Sequence, residues 1–136
     1  MGIDALVRNN VHLTEIVLDC CLEMRDDTLV HILNLPNISC IRLGVNRSVR
    51  GDGVLNMTST SIHTFEVSFF KCLTTENQLR ILRAFPRKDI LNVSLRYLTN
   101  VCDGFARDYS DLLREFKSAV LYTLNGYKFI DGKVIF

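Results

Sequence analysis

The sequence has almost no net charge: 16 Lys and Arg stand against 15 Asp and Glu, for a formal value of +1. A chain so balanced has no global field drawing it to phosphate backbones or anionic lipid, so nucleic acid is not favoured as a partner. Long apolar runs are missing too. None approaches the roughly 18 residues that a membrane helix needs, and MGIDALVRNN lacks the basic segment and unbroken apolar stretch of a secretory signal. Among the five cysteines, Cys20, Cys21, Cys40, Cys72 and Cys102, there is no CxxC pair, and no histidine is spaced to complete a zinc site. No GxSxG, GxxxxGK or HExxH motif occurs, and His12, His31 and His63 fall in different parts of the chain. The expectation is a chain that is not an enzyme and uses no metal or cofactor.

What is present is material for one core. With 48% hydrophobic and 23% charged residues, the composition is that of an ordinary folded protein, and 136 residues suit one domain. An odd cysteine count without a pairing pattern reads as buried free thiols, which places the chain inside the cell, in cytoplasm or nucleus. Asn37, Asn46, Asn56 and Asn92 each begin an N-glycosylation triplet, read here as chance matches in an Asn-rich chain. Glycans on Asn46 or Asn56 would mark the alternative, an extracellular receptor fragment.

A repeat runs through the sequence. The pattern apolar-x-x-apolar-x-apolar recurs as Leu13/Ile16/Leu18, Ile38/Ile41/Leu43, Ile62/Phe65/Val67, Ile90/Val93/Leu95 and, in a degenerate copy, Ala119/Tyr122/Leu124. Successive copies begin 25, 24, 28 and 29 residues apart, in or beside the range of leucine-rich repeats. Each copy predicts a short strand. The last two apolar positions enter the core as alternate strand residues, and the first enters from the approach to the strand. At the ninth position of the unit stand Cys21, Asn46, Phe70, Leu98 and Tyr127. An Asn or Cys there can hydrogen-bond the backbone of the adjoining turn.

The connections supply helices. RDDTLVHILNLP offers Asp26 or Asp27 as N-cap and Leu29, Ile32 and Leu33 as a buried stripe. TTENQLRILRAFP places Thr75 and Gln78 in capping-box register before Leu79, Leu82 and Phe85, and RDYSDLLREFKSAV has Asp108 as cap and Leu112, Leu113 and Phe116 as stripe. The connection VNRSVRGDGVLNMTSTS is expected to hold a short helix of one or two turns from Asp52. Its Arg50-Gly51-Asp52 tripeptide reads as a turn rather than an adhesion signal. Helical spacing at Ile3, Leu6 and Val7 opens the chain, either as a cap for the first repeat or where a longer parent was cut.

On these residues the chain resembles leucine-rich-repeat proteins of the ribonuclease-inhibitor-like or cysteine-containing type. ALVRNNVHLTEIVL is similar to their helix-end, Asn-Asn and apolar strand junction, and LREFKSAVLYTLNGYKF resembles a terminal repeat whose strand ends in a Leu-Asn-Gly turn, here Leu124, Asn125 and Gly126. FKCLTTENQLRILRAFPRKDILNVSL is more distantly similar to repeat regions associated with F-box proteins. The resemblance implies an α/β fold: a single domain over residues 1–136, a solenoid of about five parallel strands with helices on the convex side.

Concave faces of such solenoids are the usual binding surfaces. The outward strand positions are Glu15, Val17, Asp19; Cys40, Arg42, Gly44; Thr64, Glu66, Ser68; Asn92, Ser94, Arg96; and Leu121, Thr123, Asn125, with Phe69 and Tyr97 just after their strands. Arg42, Glu66, Phe69, Arg96 and Tyr97 are the candidate contacts, since aromatics beside Arg anchor interfaces. The function expected is a protein-binding module or adaptor, such as the substrate-recognition part of a ubiquitin ligase. The alternative, from the resemblance of the ending to repeats of splicing and messenger-RNA export proteins, is an RNA-associated factor. Exposed solenoid ends also permit self-association.

Overall fold

A computed structural model describes residues 2–53, 57–98, 103–123, 126 and 128–135. The chain is α/β, with strands β1 (Glu15–Leu18), β2 (Cys40–Asn46), β3 (Thr64–Phe70), β4 (Asn92–Leu98), β5 (Ser118–Thr123), β6 (Lys128–Ile130) and β7 (Lys133–Ile135). They form one sheet in which spatial order equals chain order. The first five run parallel, and β6 and β7 continue the sheet as an antiparallel hairpin. The helices are α1 (Ile3–Asn9), α2 (Asp26–Leu33), α3 (Thr75–Ala84) and α4 (Asp103–Leu113), with a 3-10 turn at Lys88–Ile90.

The repeat pattern sets the register. Ile16, Ile41, Phe65, Val93 and Ala119 are neighbours across five strands, and so are Leu18, Leu43, Val67, Leu95 and Leu121. Nearly all of these are buried, and they share one core with Leu29, Ile32 and Leu33 of α2, Leu79 and Leu82 of α3, and Leu112 and Leu113 of α4. The helices therefore cover one face of the sheet and leave the other open. Burying each such Leu or Ile contributes on the order of 2 kcal/mol. Ile38 is fully buried, and the approach to each strand is stacked on the last: Ser39 N donates to Thr14 O (2.8 Å), His63 N to Ser39 O (2.9 Å) and Asn92 N to His63 O (2.8 Å). Phe65, Phe85 and Phe116 meet edge to face, with centroids 5.1 and 6.5 Å apart, and tie the third unit to the start of the fifth.

In the fifth copy the expected frame is displaced by three residues, which exchanges the inward and outward positions of the strand. Leu121 and Thr123, expected outward, are buried, whereas Tyr122, expected in the core, is only half-buried on the open face. The copy is Phe116/Ala119/Leu121, which begins 26 residues after Ile90. Pairing with β4 forces this choice, because Ala119 sits beside Val93 and Leu121 beside Leu95. In the fourth copy Leu91, fully buried, takes the core place expected for Ile90, which is half-buried as the last residue of the 3-10 turn.

Helix starts also differ. The N-cap of α2 is Arg25 without a side-chain cap; Asp26 Oδ1 accepts instead from Arg50 N (3.1 Å) and Gly51 N (2.8 Å) of the next unit. The cap of α3 is Thr74, whose hydroxyl accepts from Asn77 N at 3.2 Å, one residue before the expected box. Helix α4 begins at Asp103, so Asp108 lies inside it and caps nothing. No helix starts at Asp52 among the described residues of that connection: Asp52 and Gly53 form a turn, and 57–63 carry no regular element. Asn77 Nδ2 donates to Arg50 O (2.8 Å) and Asp52 Oδ1 (3.2 Å), so the Arg-Gly-Asp tripeptide is held between α2 and α3 rather than projecting. Expectations on Asn56, Cys102, Leu124, Asn125 and Tyr127 fall outside the described residues.

The hairpin docks through Gly132, where φ is 84° and a side chain would meet Ser110 O at 2.6 Å. Ser110 Oγ donates to Gly132 O, and Tyr109 of α4, fully buried against Phe129 of β6, donates to Gln78 Oε1 of α3.

Candidate functional site

The open face begins with a break in alternation. In β2, β3 and β4 a pair of consecutive residues faces outward, Gly44–Val45, Ser68–Phe69 and Arg96–Tyr97, before the strand turns Asn46, Phe70 and Leu98 inward. The second residue of each pair has left-handed φ: 48° at Val45, 57° at Phe69 and 55° at Tyr97. That conformation costs an L-residue roughly 1–2 kcal/mol, and more for a β-branched one. It is repeated because each insertion resets the pleat so that the ninth residue of the unit enters the core.

Asn46 shows what the reset achieves. It is 1% exposed; its Nδ2 donates to Cys21 O (2.7 Å) and Met24 O (3.0 Å), and its Oδ1 accepts from Ser48 N (2.8 Å) and Val49 N (2.7 Å). All its polar capacity is used on adjoining turns, as the sequence suggested, and none is left accessible for a glycan in the folded chain. Cys21 at the equivalent place donates its thiol to Gly44 O at 3.2 Å, and burial pushes that thiol up to about 11.

On the outer side the insertions present Val45, Phe69 and Tyr97, which are among the most exposed large apolar side chains described. Phe69 is 51% exposed and Tyr97 43%. Their rings stack with centroids 5.0 Å apart and planes 24° apart, and Tyr122 continues the row at 6.4 Å and 20°. The Arg96 guanidinium and the Lys128 ammonium each lie 5.1 Å from the Tyr122 ring centre. Arg96 Nε also donates to Ser94 Oγ at 3.0 Å.

Arg42 and Glu66 are register neighbours, as expected, with Nε to Oε2 at 3.3 Å. Both side chains are about half exposed, so the pair contributes roughly 0–1 kcal/mol. Beside it a shallow hollow of about 190 Å³ opens over Gly44, lined by Val17, Asp19, Arg42, Glu66 and Ser68. A Cβ at Gly44 would stand 2.7 Å from Asp19 O, so the hollow exists because β1 and β2 approach too closely there for a side chain. Cys40 points to this face but is buried among Glu15, Arg42, Thr64 and Glu66, and that burial raises its thiol pKa.

All five sequence-predicted contacts thus share one face, in two groups: Arg42 with Glu66, and Phe69 with Arg96 and Tyr97. Tyr122 and Lys128 were missed. The signal for Tyr122 was the alternative frame beginning at Phe116; Lys128 had none, since its position depends on a hairpin beyond the repeats. Among the described residues no three His, Cys, Asp or Glu side chains gather to hold a metal, and no helix is long and apolar enough to cross a membrane. No known family matches the chain, and no curated protein or solved structure does.

Proposed function

We propose that the chain is a short leucine-rich-repeat solenoid, not an enzyme, that binds an extended polypeptide through the open face of its sheet. Five parallel strands in chain order, with the same positions buried in each, support the repeat reading. The observation that carries the binding reading is the exposed Phe69–Tyr97 stack. Two large rings stacked on each other and exposed on the open face are what an interface anchor requires. Arg42, Glu66 and Arg96 flank them as polar contacts. Unpaired Cys20, Cys21, Cys40 and Cys72 suit a place inside the cell. An adaptor role, such as substrate recognition for a ubiquitin ligase, follows from the sequence resemblance alone.

The test is selection of peptides from a random display library on the folded chain, followed by binding to a Phe69→Ser/Tyr97→Ser variant with unchanged circular dichroism. Selected peptides should lose at least about tenfold in affinity on the variant. Undiminished binding there would place the interface elsewhere and end this reading.

A further inference from the structure

We infer that the segment bound across β3–β6 is acidic, its carboxylates meeting a stripe formed by Phe69, Tyr97, Tyr122, Arg96 and Lys128. This rests on the polypeptide-binding reading above and adds the chemistry of the partner.

The stripe is electropositive for two reasons. Its two cations are without acidic partners among the described residues: no carboxylate lies within ion-pair distance of Arg96 or Lys128. Glu66, one strand away, is engaged by Arg42, and Asp131 of the hairpin accepts from Ala119 N at 2.9 Å. Glu15 and Asp19 lie at the β1 edge, three strands from β4. At about 4.8 Å per strand that is roughly 14 Å, beyond the screening length of physiological salt. The face is therefore polarised, acidic at β1 and basic at β4–β6, although its total charge nearly cancels.

The second reason is ring orientation. Tyr97 lies between Phe69 on β3 and Tyr122 on β5, with ring planes near parallel to both, and two cations each lie 5.1 Å from the Tyr122 ring centre. What the row offers outward is ring edges, the positive part of the aromatic quadrupole, together with a guanidinium and an ammonium. Carboxylates fit such a surface. Stacking of Phe69 on Tyr97 orders the rings before binding, so little is lost in ordering them.

Peptides recovered by display on the wild-type chain should be rich in Asp and Glu, and their binding should weaken with added salt. An Arg96→Glu/Lys128→Glu variant should lower their affinity at least about tenfold. Replacing the acidic residues of a selected peptide by Lys should restore binding to that variant, a gain that misfolding could not produce. Neutral or basic peptides that bind tightly and are lost on Phe69→Ser/Tyr97→Ser would overturn the acidic partner and leave the binding face standing. Failure of the display to yield any peptide lost on that variant would remove both. Tighter, salt-released binding of an oligouridylate would replace the peptide by RNA.

Discussion

Replacing Asn46 by Ala removes the side chain on which two turns converge, and the structure lets the cost be counted group by group. Cys21 O keeps a second donor, Met24 N at 3.1 Å, so it is not orphaned. Ser48 is exposed, and its N–H can turn to water. Met24 O and Val49 N remain as buried groups whose described partner was Asn46. Each such group costs roughly 1–3 kcal/mol when left unpaired, so the expected loss is about 4 kcal/mol. Against a typical stability of about 5–15 kcal/mol this is a large share. With a urea slope near 2 kcal/mol/M, the midpoint should fall by about 2 M. Asn34 is the control: it also uses both ends, donating to Val30 O and accepting from Thr58, but at a more open site. Its change to Ala should cost about 1 kcal/mol. Urea unfolding followed by circular dichroism decides, with equal slopes required for the comparison. A midpoint shift for Asn46→Ala no larger than for Asn34→Ala would refute the reasoning, because the turns would then be held by something other than this side chain.

Gly44→Ala should destabilise by about 2 kcal/mol in the same assay, since the new methyl meets backbone rather than a side chain that can move. Val45→Asn should raise the urea midpoint slightly, by the equivalent of about 0.5–1 kcal/mol, because Asn accepts left-handed φ far more readily than a β-branched residue. Burial holds the Cys21 thiol protonated to about pH 11, above the ordinary value near 8.5. An acid whose folded pKa is raised contributes stability that is complete below the unfolded value and lost as pH rises through the folded one. Wild type should therefore lose more stability than Cys21→Ala between about pH 8.5 and 11, as urea midpoints across that range would show.

Much of this fold is legible in the sequence because one physical rule, the burial of alternate strand residues, repeats at a nearly constant spacing. Ile16, Ile41, Phe65 and Val93 are identified by that rule and lie in register. It fails at the fifth copy, where two frames of LREFKSAVLYTL are nearly equal in apolar content and β4 decides between them. The caps fail for a related reason. Asp26 is a good cap by type, yet it serves the backbone of the following turn, a partner 24 residues on that no local pattern reveals. Composition sums charge over the whole chain, whereas strand order separates Glu15 and Asp19 from Arg96 and Lys128 on the open face.

The left-handed residues join these two accounts. A strand that alternated without interruption would place the residue before the ninth position inward and the ninth outward, leaving Asn46 in solvent and Val45 in the core. The inserted outward residue is what seats Asn46, Phe70 and Leu98, so the strain at Val45, Phe69 and Tyr97 is required by packing whatever their side chains are. Packing would be served as well by Gly or Asn at all three positions, and more cheaply. The fold thus accounts for the conformation but not for the rings. Phe69→Asn/Tyr97→Asn separates the two roles: it keeps the reset, relieves strain and removes the aromatic surface. Its urea midpoint should stay within about 1 kcal/mol of wild type, lost ring stacking offsetting relieved strain, while binding of an acidic peptide falls at least about tenfold. A variant that binds as wild type does would show that the rings are present for stability alone.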